Sequence, residues 1–239
     1  MRVALFRPLR LLFSEPIVFM VSMMSAIAFG IVYMFVEALP PVYSSLGLVG
    51  THTTLPLLAI GLGLLCGILT RCYDDHVLRL RSRASQQAIP EDKLTGFVVG
   101  APALAIGLWW FAWTIPPHMR AGWLLPTSAL VLVGYSVNEF DSVLSGYLAD
   151  SYLSYSASAF GAQALLRSVF SAGFPLFADK MFSSLGNNIA VSILAAVATI
   201  FCIAPPLFIR FGERVRKRSR FATYSLSLSD RHALMSENP

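Results

Sequence analysis

Long apolar stretches separated by short polar segments dominate this chain from residue 17 onward. A stretch of about 20 mostly apolar residues is long enough to cross a bilayer as a helix. Six such stretches occur, at approximately 17–39, 53–71, 96–115, 123–145, 154–178 and 189–209. Prolines and Gly–Asn turns separate them. The pattern predicts an all-α integral membrane protein with six transmembrane helices.

The polar segments divide the chain into three parts. Residues 1–16 form an N-terminal segment, residues 17–209 form the transmembrane domain with a basic loop over 72–95, and residues 210–239 form a basic, serine-rich tail. The first apolar run is longer than the core of a signal peptide, and further spans follow it. We therefore expect the first helix to remain in the membrane.

Composition supports a membrane protein and argues against several kinds of catalyst. Hydrophobic residues make up 56% of the chain and charged residues 13%, whereas about 25% of residues are charged in soluble domains. The mean hydropathy is +0.65. The cysteines show no CxxC spacing, which argues against a disulfide framework, a metal site or a thiol catalyst. No catalytic constellation is apparent, so we expect no enzyme activity, no metal and no cofactor.

The distribution of positive charge predicts the orientation. Short cytoplasmic loops retain Lys and Arg, whereas translocated loops do not. Of the 18 Lys and Arg residues, only Arg120 and Lys180 fall on the side opposite the N-terminus, and Arg167 lies within a span. Both termini are therefore expected in the cytoplasm. The basic clusters at 71–83 and 210–220 are expected to contact anionic membrane lipids; nucleic acid is not an expected partner.

Arg167 is the most informative single residue, because it lies deep in the fifth apolar stretch. An arginine at the centre of a membrane helix costs about 2.5 to 3.5 kcal/mol on insertion scales, so it needs a partner or water. At helical spacing it shares one face with Phe160, Gln163, Phe170 and Phe174. We predict that this face lines a substrate cavity. The alternative is that Arg167 anchors a buried polar network, or snorkels, without touching a ligand.

Small residues predict where helices pack closely. On the fifth stretch they form a stripe at spacings of three and four, consisting of Ser154, Ala157, Gly161, Ala164, Ser168 and Ser171. This stripe is expected to pack the helix. Gly61, Gly63 and Gly67 in the second stretch are likewise interpreted as helix-packing positions, because no strand or phosphate-loop lysine accompanies them.

Four acids could pair with Arg167, namely Glu37, Glu139, Asp141 and Asp150, and the sequence does not choose among them. Glu139 and Asp141 are candidates for proton or cation coupling, because a carboxylate in a low-dielectric cavity can be held protonated and then released. Alternatively, this part of the helix reaches the headgroups. Glu37 either attracts cations at the opposite end of the first span or caps that span at the interface.

Several segments carry a family resemblance. The segment DSYLSYSASAFGAQALLRSVFSAGFPLFADKMFSSLG at 150–186 resembles the eleventh-helix region of fungal drug:proton antiporters in the major facilitator superfamily. Further similarity lies at 7–18, 36–43, 90–114 and 205–222, in the expected order. The resemblance implies the C-terminal six of twelve helices, built as two inverted three-helix repeats. It also places Met1 near the central cytoplasmic loop.

The resemblance also implies a function. Arg167 falls on the family's Arg-Ser pair and Pro175 on its Phe-Pro-Leu-Phe run, whereas Ser171 replaces a glycine, and Glu139 and Asp141 occupy a normally more apolar stretch. The family's other motifs lie in the N-terminal half, so no residue here inherits their roles. We expect a half-length efflux transporter of the plasma membrane. It would export small organic compounds or secondary metabolites by proton antiport, together with a second six-helix half that is another copy or a separate chain. The alternative is a truncated, transport-incompetent membrane protein or assembly partner.

Overall fold

The computed structural model describes residues 2–48, 50–82, 95–116, 122–152 and 155–210, and every regular element within these ranges is helical. A 3-10 helix covers Gly50–Thr54, and residues 204–210 are also helical. The α-helices are α1 (Arg2–Ser14), α2 (Pro16–Glu37), α3 (Leu39–Ser45), α4 (Leu57–Ser82), α5 (Thr95–Thr114), α6 (Leu124–Tyr152), α7 (Ser156–Gly173), α8 (Pro175–Leu185) and α9 (Asn187–Phe201). The predicted all-α class is confirmed.

Within the described ranges, four segments are long and apolar enough to cross a membrane. They are Pro16–Ser45, His52–Cys72, Gly96–Thr114 and Asn187–Arg210. These segments correspond to the first, second, third and sixth predicted stretches. Helices α6 and α7 cover the other two stretches but are not among the four segments. The count of six spans therefore stays a prediction.

Two helix boundaries differ from the apolar stretches. Helix α4 continues to Ser82, so residues 72–82 of the expected basic loop are helical. Residues 72–82 contain no Gly or Pro that would end a helix. Charged residues such as Arg have good helix propensity, so the helix continues beyond its apolar part. The fifth stretch is divided at Pro175, where α8 begins, because proline has no N–H to continue the ladder of α7. Residues 83–94 and 211–239, and with them most of the tail, lie outside the described residues.

Helix α6 lies at the centre of the bundle. It packs most extensively on α4 and α5 and also contacts α2 and α7, while α2 packs on α7 and α5 on α9. Buried aromatic rings fill the space between α5, α6 and α9. The ring centroids of Phe97 and Phe140 are 5.3 Å apart and those of Phe140 and Phe201 are 5.6 Å apart, in edge-to-face contacts. Such contacts add specific geometry to apolar burial.

Helix α1 lies against α7 at the start of the bundle. Pro8 fits against Gly161, where a Cβ would stand 3.2 Å from the Pro8 ring. The buried carboxylate of Glu15, between α1 and α2, accepts a 3.0 Å hydrogen bond from the hydroxyl of Tyr152 at the end of α6. The segment before the first span is thus part of the packed structure.

The small-residue stripe of α7 is only partly packed against other helices of the chain. Ala157, Ala164 and Ser168 are exposed, and Gly161 meets only α1. Helix α7 instead turns another face to α2 and α6, and its buried residues are Ala159, Ala162 and Gln163. This face is preferred because Gln163 finds hydrogen-bond partners there.

Candidate functional site

An ion pair joins α6 and α7. Nη1 of Arg167 donates a hydrogen bond to Oδ1 of Asp141. The guanidinium also lies over the ring of Phe29 on α2, 4.6 Å from its centroid, where the electron-rich ring face attracts a cation. The side chains of Arg167 and Asp141 remain 32% and 50% exposed. Of the four acids that the sequence offered, Asp141 is the partner of Arg167.

Gln163 joins the same three helices one turn before Arg167. Its amide Nε2 donates to Oγ of Ser25 on α2 at 3.2 Å, and its Oε1 accepts from Oγ of Ser145 on α6 at 3.3 Å. The Gln163 side chain is buried, so both halves of its amide need these partners. These bonds fix the orientation of the amide and hold α7 in register with α2 and α6.

An open cleft of about 210 Å³ lies beside these groups. Its lining consists of Asp141, Ser145, Phe160, Gln163, Ala164 and Arg167. The cleft offers a cation, a carboxylate, a hydroxyl and an aromatic ring. It is smaller than a typical small-molecule site of about 300 to 1,000 Å³. The cleft alone is therefore too small for a typical drug-sized ligand and would form one part of a larger site.

Two of the predicted cavity residues lie outside the cleft, near the end of α7. Phe174 packs against Gly30 of α2, where a Cβ would come within 2.6 Å of the Phe174 ring. Phe170 and Phe177 flank it, with ring centroids 5.2 and 5.5 Å away. The structure brings Phe160, Gln163 and Arg167 together in the cleft. Phe170 and Phe174 form a separate aromatic row at the break between α7 and α8.

Glu139 points away from the cleft although it is only two residues from Asp141. Residues two apart on a helix are rotated by about 200° around its axis, so the two carboxylates leave α6 on opposite sides. Glu139 is fully buried; its Oε1 accepts from Thr70 at 2.7 Å and its Oε2 from Arg71 at 2.6 Å. The partners of this carboxylate are therefore on α4.

Glu37 also lies outside the cleft. It is exposed at the C-terminal end of α2, eight residues beyond Phe29, which corresponds to about 12 Å along the helix axis. Within the described ranges, no group of three or more His, Cys, Asp or Glu residues could hold a metal ion.

Three residues of the site were not identified from the sequence, namely Ser25, Phe29 and Ser145. Their signal is local spacing: Ser25 and Phe29 are four residues apart on α2, and Ser145 follows Asp141 by four residues on α6. Residues at this spacing share a helix face. The spacing of residues along a helix does not show which helix faces contact each other, because those contacts depend on tertiary packing.

Comparison with known proteins finds relatives along most of the chain. It is 35% identical over 221 residues to the multidrug transporter TPO1_2 of Candida glabrata, covering 92% of this chain and 38% of the relative. It is 37% identical over 225 residues to the major facilitator-type transporter sorT of Penicillium rubens, covering 92% of this chain and 42% of the relative. It is 32% identical over 220 residues to the major facilitator superfamily multidrug transporter FLU1 of Candida albicans, covering 90% of this chain and 36% of the relative. No family profile and no solved structure matches.

The chain spans about two fifths of the length of the relatives it matches. These relatives are transporters and not enzymes, and their similarity extends over about nine tenths of this chain. Together with the apolar helices, the similarity identifies a multi-pass membrane protein. The chain is thus similar, over about nine tenths of its length, to fungal multidrug transporters and efflux pumps, among them major facilitator superfamily transporters.

Proposed function

We propose that this chain is the C-terminal six-helix half of an efflux transporter and that the cleft beside Arg167 is part of its substrate path. The observation that carries the proposal is the partly exposed ion pair between Arg167 and Asp141. Ionisable residues within membrane helices are costly and commonly mark substrate or ion pathways. The relatives are efflux and multidrug transporters, which supports export of small organic compounds.

Asp141 is the proposed site of proton coupling. The ionised carboxylate pairs with Arg167 and would also attract a cationic group of a substrate, whereas protonation would remove the charge that such a group binds. Its half-exposed side chain is open to protons from the cleft. Of the three predicted coupling acids, Asp141 lies in the cleft, whereas Glu139 and Glu37 do not. A proton and a cationic substrate would then compete for one carboxylate, which is a physical basis for antiport.

Helix packing supports the proposed pair of inverted repeats. The first repeat would contain α2, α4 and α5, and the second would contain α6, α7 with α8, and α9. The second helix of each repeat packs on the first helix of the other, as α4 does on α6 and α7 on α2. The third helices, α5 and α9, pack on each other. A two-fold axis between the repeats requires such reciprocal contacts.

The open side of the cleft is proposed to face a second six-helix half, which is another copy of this chain or a separate chain. Both termini are proposed to be cytoplasmic, because positive charge is concentrated on their side of the membrane. The membrane is proposed to be the plasma membrane. The lipid bilayer would cover the outward apolar surface of α4. Its exposed leucines recur at helical spacing, at Leu58, Leu62, Leu65 and Leu69.

The test is substitution of Arg167 in cells that produce this chain together with the second six-helix half. We expect Arg167→Ala to lower efflux of the dye rhodamine 6G by about tenfold or more, because it removes both the partner of Asp141 and the cation of the cleft. The amount of protein in the membrane should not change. Lys180→Ala is the matched control, since this exposed cation lies on α8 outside the cleft.

Unchanged efflux in the Arg167→Ala variant would contradict the role of the cleft. Absence of dye efflux by the unmodified assembly would instead favour the alternative of a transport-incompetent membrane protein.

A further inference from the structure

A second ion pair lies on the opposite side of α6, and its carboxylate is enclosed by three helices. Glu139 of α6 accepts hydrogen bonds from Thr70 and Arg71 of α4, at 2.7 and 2.6 Å. Helix α5 closes the site with two glycines. A Cβ at Gly96 would overlap the Glu139 carboxylate and come within 2.5 Å of Nη2 of Arg71, and a Cβ at Gly100 would stand 3.0 Å from Cβ of Glu139.

The two carboxylates of α6 therefore have different environments. Glu139 has both oxygens hydrogen-bonded, and its side chain is 1% exposed, whereas the Asp141 side chain is 50% exposed in the cleft. Among the described side chains of α4, the charged group on Glu139 is Arg71, and on α5 Gly96 and Gly100 lie against Glu139. A proton can reach Asp141 through the cleft. The Glu139 carboxylate is buried behind Arg71, whose side chain is 25% exposed.

The Glu139–Arg71 pair also determines the rotation of α6. A carboxylate fixed to α4 and covered by α5 prevents α6 from turning about its axis. Because Asp141 and Ser145 lie on the other side of the helix, the same rotation directs them toward Arg167 and Gln163.

We infer that Glu139 and Arg71 are positioning residues, which hold α6 against α4 and α5 and thereby direct Asp141 into the cleft, and that Glu139 keeps its charge throughout the transport cycle. The transport part of this inference rests on the proposed function. The structural part concerns the chain itself and can be tested without transport.

The structural test is a double-mutant cycle on the purified full chain in detergent. The variant Arg71→Gln leaves the buried Glu139 carboxylate unpaired, and Glu139→Gln leaves the partly buried Arg71 guanidinium unpaired, whereas Arg71→Gln/Glu139→Gln leaves no unpaired charge. We expect each single variant to lower the unfolding temperature by several degrees and the double variant to recover most of that loss. Additive losses in the double variant would overturn the positioning role, whether or not the chain transports anything.

The functional test compares the pH profile of rhodamine 6G transport in the complete assembly. The double variant keeps Asp141, and its two amide side chains can still hydrogen-bond between α6 and α4 without a charge, so it is expected to transport with the unmodified pH profile, whereas Asp141→Asn should flatten the profile. A folded double variant that loses transport would overturn the inference, and one that transports without pH dependence would assign the proton to Glu139. If the unmodified assembly shows no transport, the proposed function fails, while the unfolding cycle still decides the structural part.

Discussion

At the scale of single residues, several polar side chains within the apolar helices hydrogen-bond to neighbouring helices. Asn188 at the start of α9 is an example. Its Nδ2 donates to the carbonyl oxygens of Ala112 and Ile115, at 2.8 and 3.0 Å, at the C-terminal end of α5. The last carbonyls of a helix have no partner within that helix. Asn188 therefore ties α9 to α5 and satisfies two of these groups.

We predict that Asn188→Ala lowers the free energy of unfolding by about 1 to 3 kcal/mol, because it leaves buried carbonyl groups without a donor. The measurement is denaturant unfolding of the purified chain in detergent. Asn187→Ala serves as the control, since this neighbour makes no hydrogen bond to α5 in the described part of the chain. Equal losses in the two variants would contradict the role of Asn188.

The sequence predicted that Arg167 needs a partner, because an isolated cation in an apolar helix is costly. It could not identify that partner, since Asp141 and Glu139 differ by only two positions and the choice depends on the rotation of α6. The same limit applies to Phe174. Helical spacing placed it on the face of Arg167, but contact with Gly30 depends on how α2 crosses α7.

At the scale of elements, hydropathy located the helices but not all of their contacts. Helices α4 and α6 cross with their backbones in contact, because Gly63 lies against the carbonyl of Val131 and Gly134 against the carbonyl of Ile60. The packing role predicted for Gly63 agrees with this crossing, whereas a Cβ at Gly61 would meet open space. In the small-residue stripe of α7, Gly161 packs on α1, whereas Ala157, Ala164 and Ser168 are exposed. The spacing of residues defines a helix face, but it does not show what that face contacts.

The crossing of α4 and α6 predicts different effects for two glycines of the same helix. Gly134→Ala should lower the free energy of unfolding by about 1 to 3 kcal/mol, because the added methyl group overlaps the α4 backbone. Gly146→Ala enters open space and should leave stability unchanged or raise it by about 0.5 to 1 kcal/mol. Unfolding of both variants in detergent checks the difference. A tolerated Gly134→Ala would mean that the two helices do not cross this closely.

At the scale of the whole molecule, the residues that build the cleft also weaken the membrane signal of their helices. Asp141 and Ser145 on α6, and Gln163 and Arg167 on α7, lower the hydropathy of these two helices, which are not among the four candidate spans. The central claim is that α6 and α7 nevertheless cross the bilayer. If they do not, the cleft cannot lie on a substrate path.

The most direct measurement of this claim is labelling of single cysteines with a membrane-impermeant maleimide, after Cys66, Cys72 and Cys202 are replaced by alanine. Gly122→Cys and Ser82→Cys serve as the outside and inside controls, and the decisive variant is Ser156→Cys, at the start of α7. Six spans predict that Ser156→Cys reacts only after the membrane is permeabilised, like Ser82→Cys. Labelling of Ser156→Cys in intact cells, like that of Gly122→Cys, would contradict six spans and remove the cleft from the transport path.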